Sequence, residues 1–376
     1  MRVQRDEPKY RRIKREIESW IAAGKIRSGD KIPVEHELAA RFGVSRQTVR
    51  QAISELVHTQ ILEQRQGSGT YYIGQMTEAA QPEHKTFLVG VITNYMSGYI
   101  FPQIIRGIEE RLSMDGHGML LMGTHNQYAN ERKALMMILD RSVDAVIVEP
   151  TKGAYPNQNL DLYHVLQKKG IPIVMLHSAY DDLSGPVLTV DDTAGAAMAV
   201  KHMAMQGHQR VGAIIKMDEK QGIARLEGYL EALHQTDLAF RREWTMFFTS
   251  EGWSNVCSQY ADRLSKMHPS QRPTGVFCFN DVVAVVLMRE LRSRGINVPE
   301  GISIVGFDDA EMAELSHPPL TTMAHPKTEM GKKAAETALV MLEDKQNKRI
   351  QATTDFTFHA RLIMRDSVRK LEPAYS

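Results

Sequence analysis

The sequence predicts an α/β protein in two unequal parts: a short helical segment closed by a β-hairpin, then a long body of parallel strands alternating with helices. Three observations predict it. The chain has 376 residues, more than one ordinary core holds, so two or three domains are expected. From Phe87 to about Arg365, short apolar runs (FLVGVIT, VDAVIV, IPIVML, RVGAII, TGVFCF, ISIVGF) alternate with amphipathic stretches, the pattern of βαβ units whose strands are buried on both faces. Charge is also uneven: residues 1–75 carry 14 Lys and Arg against 9 Asp and Glu, and the remainder carries 32 against 36. A basic segment on an acidic body suggests a polyanionic partner for that segment, the plain alternative being a solvated helix face.

The composition, 43% apolar and 24% charged, is that of a soluble globular protein. The N-terminus MRVQRDEPKYRRIKREI has no apolar stretch after its basic residues, so no secretory signal is expected, and no run is long enough to span a membrane. Cys257 and Cys278 are too few for a disulfide framework or a cysteine-based zinc site, which suits the cytoplasm. No cofactor or metal is expected: there is no Gly-x4-Gly-Lys loop, no HExxH and no GxSxG.

Taken in order, Tyr10, Ile13, Ile17 and Ile21 fall at helical spacing and form one apolar stripe, ending near Gly24. A second helix is expected from about Glu35 to Phe42. After the turn GVS, Ser45 can cap a third, with Val49, Ala52, Ile53 and Leu56 inward. Helix, short glycine-containing turn, helix is the helix-turn-helix layout, whose second helix enters the major groove. The face opposite the stripe carries Gln47, Gln51 and Ser54, flanked by Thr48 and Arg50, all able to donate to bases or phosphates. The stretch RQGSGTYYIG at 65–74 has the glycines of a phosphate loop. A nucleotide loop needs a helix directly after them, however, and TYYIG is β-prone, so a hairpin wing is expected.

Residues 31–72, KIPVEHELAARFGVSRQTVRQAISELVHTQILEQRQGSGTYY, resemble the GntR-type winged helix over their whole length. The resemblance implies DNA contacts from Glu35 and His36 at the start of the second helix and from Ser45, Arg46, Gln47, Thr48 and Arg50 at the start of the third. Gln66 and Gly67 would contact DNA from the wing, and Arg41 is a further phosphate or base contact. Two departures stand out. Val34 occupies the place of a Ser or Thr cap, a loss of about 1 kcal/mol, and His36 stands where many members carry Arg.

Residues 75–86, QMTEAAQPEHKT, read as a linker. In the body, the strand ends are polar and aromatic: Asn94–Tyr95 with Tyr99 and Phe101, His125–Asn126, Glu149, His177, Asp191–Asp192, Asn280–Asp281 and Asp308–Asp309. Ligands of open parallel sheets bind beyond the carboxyl ends of the strands. Carboxylates, amides and Arg suit sugar hydroxyls, and aromatic rings suit the C–H faces. Glu149 and Asp308 also have the residue types of a glycosidase acid–base pair. Asp309 or Asp192 can instead cap the following helix, and Trp253 can instead be core.

Residues 87–366, with landmarks LVGVIT, VDAVIVEP, LTVDDTAGA, ARLEGYLEAL, LTTMAHP and above all GVFCFNDVVAVVLMRELRSRGINVPEGISIVGFDDAE, resemble the LacI/GalR-type sensor domain. That domain is itself similar to periplasmic sugar-binding proteins and has two α/β subdomains. The resemblance implies central polar ligand contacts at Arg225, Asn280 and Asp308, further ones at Asp191, Glu149, His177 and His125, and stacking or lid residues at Tyr99, Phe101 and Trp253. Residues 367–376 are expected to be a tail. A GntR-type headpiece on a LacI-type sensor is similar to repressors of arabinose-utilisation genes. It implies a homodimer on operator DNA, with a sugar effector, L-arabinose first among candidates. Another sugar, a purine, or a sugar-processing enzyme with an accessory domain are the alternatives.

Overall fold

The computed structural model describes residues 9–22, 24–58, 61–65, 68–73, 86–346 and 354–372. The chain divides into two compact units, Met1–His84 and Lys85–Ser376.

The first unit holds α1 (Lys9–Ala22), α2 (Glu35–Phe42), α3 (Arg46–His58), β1 (Leu62–Arg65) and β2 (Gly69–Tyr72). Ile13 and Ile17 are buried as their spacing predicts, and Trp20 joins them, packing against Leu38, Val49, Ile53 and Leu56. Each buried aliphatic side chain there contributes roughly 1.5–3 kcal/mol. Gly43 ends α2 in the left-handed conformation, with φ of 63°. Val34 has no side-chain acceptor, but Glu37 reaches back and accepts from the Val34 N–H at 3.1 Å, so half a capping box replaces the missing cap. Strands β1 and β2 pair antiparallel with Arg65 opposite Gly69, and a bridge from Lys31 to Tyr71 adds a third edge. This is the expected winged helix-turn-helix.

The second unit is built on two parallel sheets. Its strands are β3 (Leu88–Thr93), β4 (Gly118–Gly123), β5 (Ala145–Val148), β6 (Ile173–Leu176), β7 (Val187–Val190), β8 (Val211–Lys216), β9 (Thr245–Phe248), β10 (Gly275–Cys278), β11 (Ser303–Val305), β12 (Thr322–Ala324), β13 (Phe356–Phe358) and β14 (Arg361–Ile363). The larger sheet has the order β4-β3-β5-β6-β7-β13, the smaller β9-β8-β10-β11, and β12 pairs with β14. Helices α4 (Phe101–Met114), α5 (Tyr128–Arg141), α6 (Leu160–Lys168), α7 (Asp192–Met205), α8 (Lys220–Gln235), α9 (Trp253–Lys266), α10 (Asp281–Arg292), α11 (Glu311–Leu315) and α12 (Lys327–Gln346) complete the two lobes.

The chain passes between lobes three times: from β7 into α7, from β12 into α12, and from β13 into β14. Helices α4 and α12 touch backbone to backbone. A Cβ on Gly107 would lie 2.3 Å from the Thr328 carbonyl oxygen, and one on Gly331 would lie 2.1 Å from that of Ile104. This close approach fixes the start of α4, which carries Tyr99 and Phe101 at its head.

The expected tail is corrected in part. Ser367 is fully buried, donates from Oγ to the Ile304 carbonyl at 2.6 Å and accepts from the Thr321 N–H at 2.8 Å. The Leu371 N–H bonds to the Gln206 carbonyl at 2.7 Å. Residues 367–371 therefore belong to the smaller lobe, where their backbone groups find partners.

Candidate functional site

On the winged helix, Ser45 Oγ accepts from the Thr48 N–H at 3.2 Å, the cap the sequence predicts for α3. Arg46, Gln47 and Arg50 follow it on the exposed first turns, and His36 is exposed at the head of α2. Glu35 and Arg50 meet in a two-pronged ion pair, Nε to Oε1 at 3.1 Å and Nη2 to Oε2 at 2.8 Å. The Arg50 hydrogen bond holds the Glu35 carboxyl below its usual range. Arg41 lies over the Trp20 ring, 4.4 Å from its centre. Gln66 and Gly67 lie outside the described residues.

In the second unit a cavity of about 360 Å³ opens between the lobes, at the carboxyl ends of both sheets. Of the ten ligand residues expected from the sequence, eight line it: Tyr99, Phe101, Glu149, His177, Arg225, Trp253, Asn280 and Asp308. Two do not. Asp191 is spent as the cap of α7, accepting from the Ala194 N–H at 3.0 Å, and its neighbour Asp192 takes the place in the wall. His125 is exposed: both His125 and Asn126 adopt left-handed backbone, which turns Asn126 inward and His125 to solvent.

Arg225 is the hub. It is 4% exposed, donates Nε–H to Asp192 at 2.8 Å, Nη2–H to Asp308 at 3.1 Å and Nη1–H to the Phe279 carbonyl, and lies 3.7 Å over the Phe307 ring. Burial works against its charge, but Asp308 and Asp192 outweigh that and raise its pKa. Two of its five N–H groups remain for a ligand. Asn280 uses its side-chain carbonyl to cap α10, accepting from the Val283 N–H at 3.0 Å, which leaves its NH2 toward the cleft. From the larger lobe, Glu149 faces His177 Nδ1 at 3.0 Å, and His177 Nε2 faces His325 Nε2 at 3.0 Å. Burial disfavours protonated His177, yet the bond and charge of Glu149 prevail and raise its pKa; burial and the His177 charge lower that of His325.

Contacts cross the cleft at several points. The Tyr99 hydroxyl bonds to the Asp308 carboxylate and, at 3.1 Å, to the Phe307 carbonyl. Asn126 Nδ2 reaches Ser250 Oγ at 2.8 Å and Glu219 Oε1 at 3.2 Å, and Lys152 pairs with Glu251. Tyr99, His177 and Asp308 all have positive φ, at 59°, 61° and 99°. Such backbone costs about 1–3 kcal/mol each and collects where geometry is imposed by neighbours.

Sequence reasoning missed Lys216, Glu219, His325, Phe248 and Phe279, all on the wall, while Tyr95, one of the strand-end residues it noted, also lines it. Lys216 ends the apolar strand RVGAIIK, and Glu219 follows three residues later, so the same strand-end rule that found Glu149 points to both. Their side chains are in contact, burial opposing both charges. Among the described residues no group of three or more His, Cys, Asp or Glu is placed to hold a metal ion, and no helix is long and apolar enough to cross a membrane.

Residues 9–71 match the gntR family of bacterial regulatory proteins, and residues 200–368 match the periplasmic binding protein-like domain. The fold and these matches define a DNA-binding transcription regulator with a periplasmic-binding-protein-like domain. The chain is 38% identical over 365 residues to an arabinose metabolism transcriptional repressor of Geobacillus stearothermophilus, covering 97% of this chain and 98% of the relative. It is 35% identical over 364 residues to one of Halalkalibacterium halodurans, covering 96% of each. Among solved structures, a LacI family regulator of Enterococcus faecium with bound ribose superposes with a TM-score of 0.64 at 25% identity, over 76% of this chain and 100% of that one. The chain belongs to the family of arabinose metabolism transcriptional repressors.

Proposed function

We propose that the protein represses sugar-utilisation genes from a near-palindromic operator as a homodimer in the cytoplasm, and that L-arabinose in the cleft releases it. The observation that carries the sugar reading is the wall itself: Arg225, Asn280, Asp192, Asp308, Glu149 and Lys216 offer donors and acceptors around aromatic faces at Trp253, Tyr99 and Phe101. That mixture suits a small ring with hydroxyls on its rim and C–H groups on its faces. The near full-length likeness to arabinose metabolism repressors supports the choice of sugar.

For DNA, we assign base or phosphate contacts to Glu35, His36, Arg41, Ser45, Arg46, Gln47, Thr48 and Arg50, and also to Gln66 and Gly67. A sugar that binds the closed cleft better than the open one shifts the sensor toward closure. If the closed form holds the operator less well, operator must weaken sugar binding by the same factor. A footprint on a candidate operator with and without L-arabinose tests this. Protection that persists at saturating sugar sinks the release mechanism. Heat of binding measured with arabinose, other pentoses, hexoses and purines tests the ligand.

A further inference from the structure

Four carboxylates line the cleft, Glu149, Asp192, Glu219 and Asp308, against two permanent cations, Lys216 and Arg225. Both cations are already engaged. Arg225 bonds Asp192 at 2.8 Å and Asp308 at 3.1 Å; Lys216 contacts Glu219 and lies 3.9 Å from Asp218, which is fully buried behind the wall. The charge available to His177 faces Glu149 at 3.0 Å. Among the described residues, every positive group on the wall therefore has a carboxylate in contact or within hydrogen-bond reach, and acids outnumber permanent bases. An oxyanion entering this space meets no cation whose charge is not already balanced by a carboxylate, and sits beside like charge at low dielectric. A cation meets the reverse.

We infer that the cleft selects its ligand by charge. It takes uncharged polyhydroxyl rings, takes a ring carrying a protonated amine more tightly, and excludes phosphorylated or carboxylated ones. This rests on the sugar-sensor reading above and narrows it. The signal is the free sugar, and any phosphorylation or oxidation to an acid that consumes it also silences it.

The test is calorimetry on the full chain with four ligands: L-arabinose, its terminal phosphate ester, the corresponding uronate, which keeps the ring, and the pyrrolidine analogue in which N–H replaces the ring oxygen. The two anions are expected to bind about 100-fold or more weakly than arabinose, and the protonated amine about tenfold more tightly. Raising pH past the amine's own pKa should remove its advantage, with arabinose measured alongside as reference. Glu219→Gln should shrink both ratios.

An anion within about threefold of the neutral sugar overturns the inference, as does an amine that gains nothing from its proton. If arabinose fails but another neutral sugar binds, the arabinose reading falls and the ratios are taken on that sugar, where they support or overturn the charge rule in the same way. If no neutral sugar binds, both fall.

Discussion

Two arginines show how differently the two units use the same chemistry. Arg225 is walled in, 4% exposed, with carboxylates on two sides and a ring beneath it. The Arg50 side chain is 68% exposed and held by one carboxylate, Glu35. The first pair cannot be broken without leaving a charge in a dry site; the second can exchange its partner for water or phosphate at little cost. A buried ion pair fixes a shape, whereas an exposed one parks a side chain until something better arrives. The Arg225 cluster is therefore held by its own wall, while the exposed Arg50 is restrained by a contact that another polar partner can replace.

The sharpest way to break this contrast is Arg225→Ala. It strands Asp192 and Asp308 in the wall, so thermal or denaturant unfolding should register a loss of about 3–5 kcal/mol in the sensor. Calorimetry should find no sugar binding, and a repressor that still folds should still hold its operator. A sugar response that survives would put the ligand elsewhere.

Next in size is acid. Burial pushes His208, which is 1% exposed and bonded to Thr274 and the Arg369 carbonyl, down to about 4. A group whose folded pKa is depressed favours the folded state above its ordinary value near 6.5. Its contribution, up to about 3 kcal/mol, should fade as pH falls from 6.5 toward 4. Melting curves across that window should show the slope in wild type and a flatter one in His208→Gln.

Arg50→Ala should reverse the pattern of Arg225→Ala. Stability should hardly change, sugar binding should stay intact, and operator affinity should drop by roughly tenfold or more. Equal losses in stability and operator binding would mean that Arg50 is structural. The smallest effect is expected from Glu35→Gln, which frees Arg50 without removing it. Competition between the operator and single-base variants should show discrimination relaxed by a few-fold, about 1 kcal/mol at most. Unchanged discrimination would leave Glu35 without a positioning role.

The strands were legible because each is a short apolar run with helical periodicity on either side, and buried parallel strands have little other way to be encoded. The lip of the cleft was legible for the same reason: most polar residues that end such a run face the crevice. The limits came from neighbours. Asp191 and Asp192 are alike as letters; which one caps α7 and which meets Arg225 depends on the backbone angle of a single residue. His125 and Asn126 divide in the same way, since a left-handed pair reverses which side chain points inward. His325 arrives from the second crossing, over 140 residues from His177, and no local pattern announces that meeting. In the winged helix, Glu37 makes good the missing cap at Val34, a compensation three residues away that the sequence displays openly.

Three separate passages of chain join the lobes of the sensor, and β7 and β13, which lead into two of them, are paired neighbours in the larger sheet. A single tether would let the lobes swivel and slide in many directions. Three restrict these far more and favour hinge bending. Such a sensor has a narrow vocabulary: it can report how far one gap is shut and little else. A graded response is then read from the distribution of that one gap across the molecules.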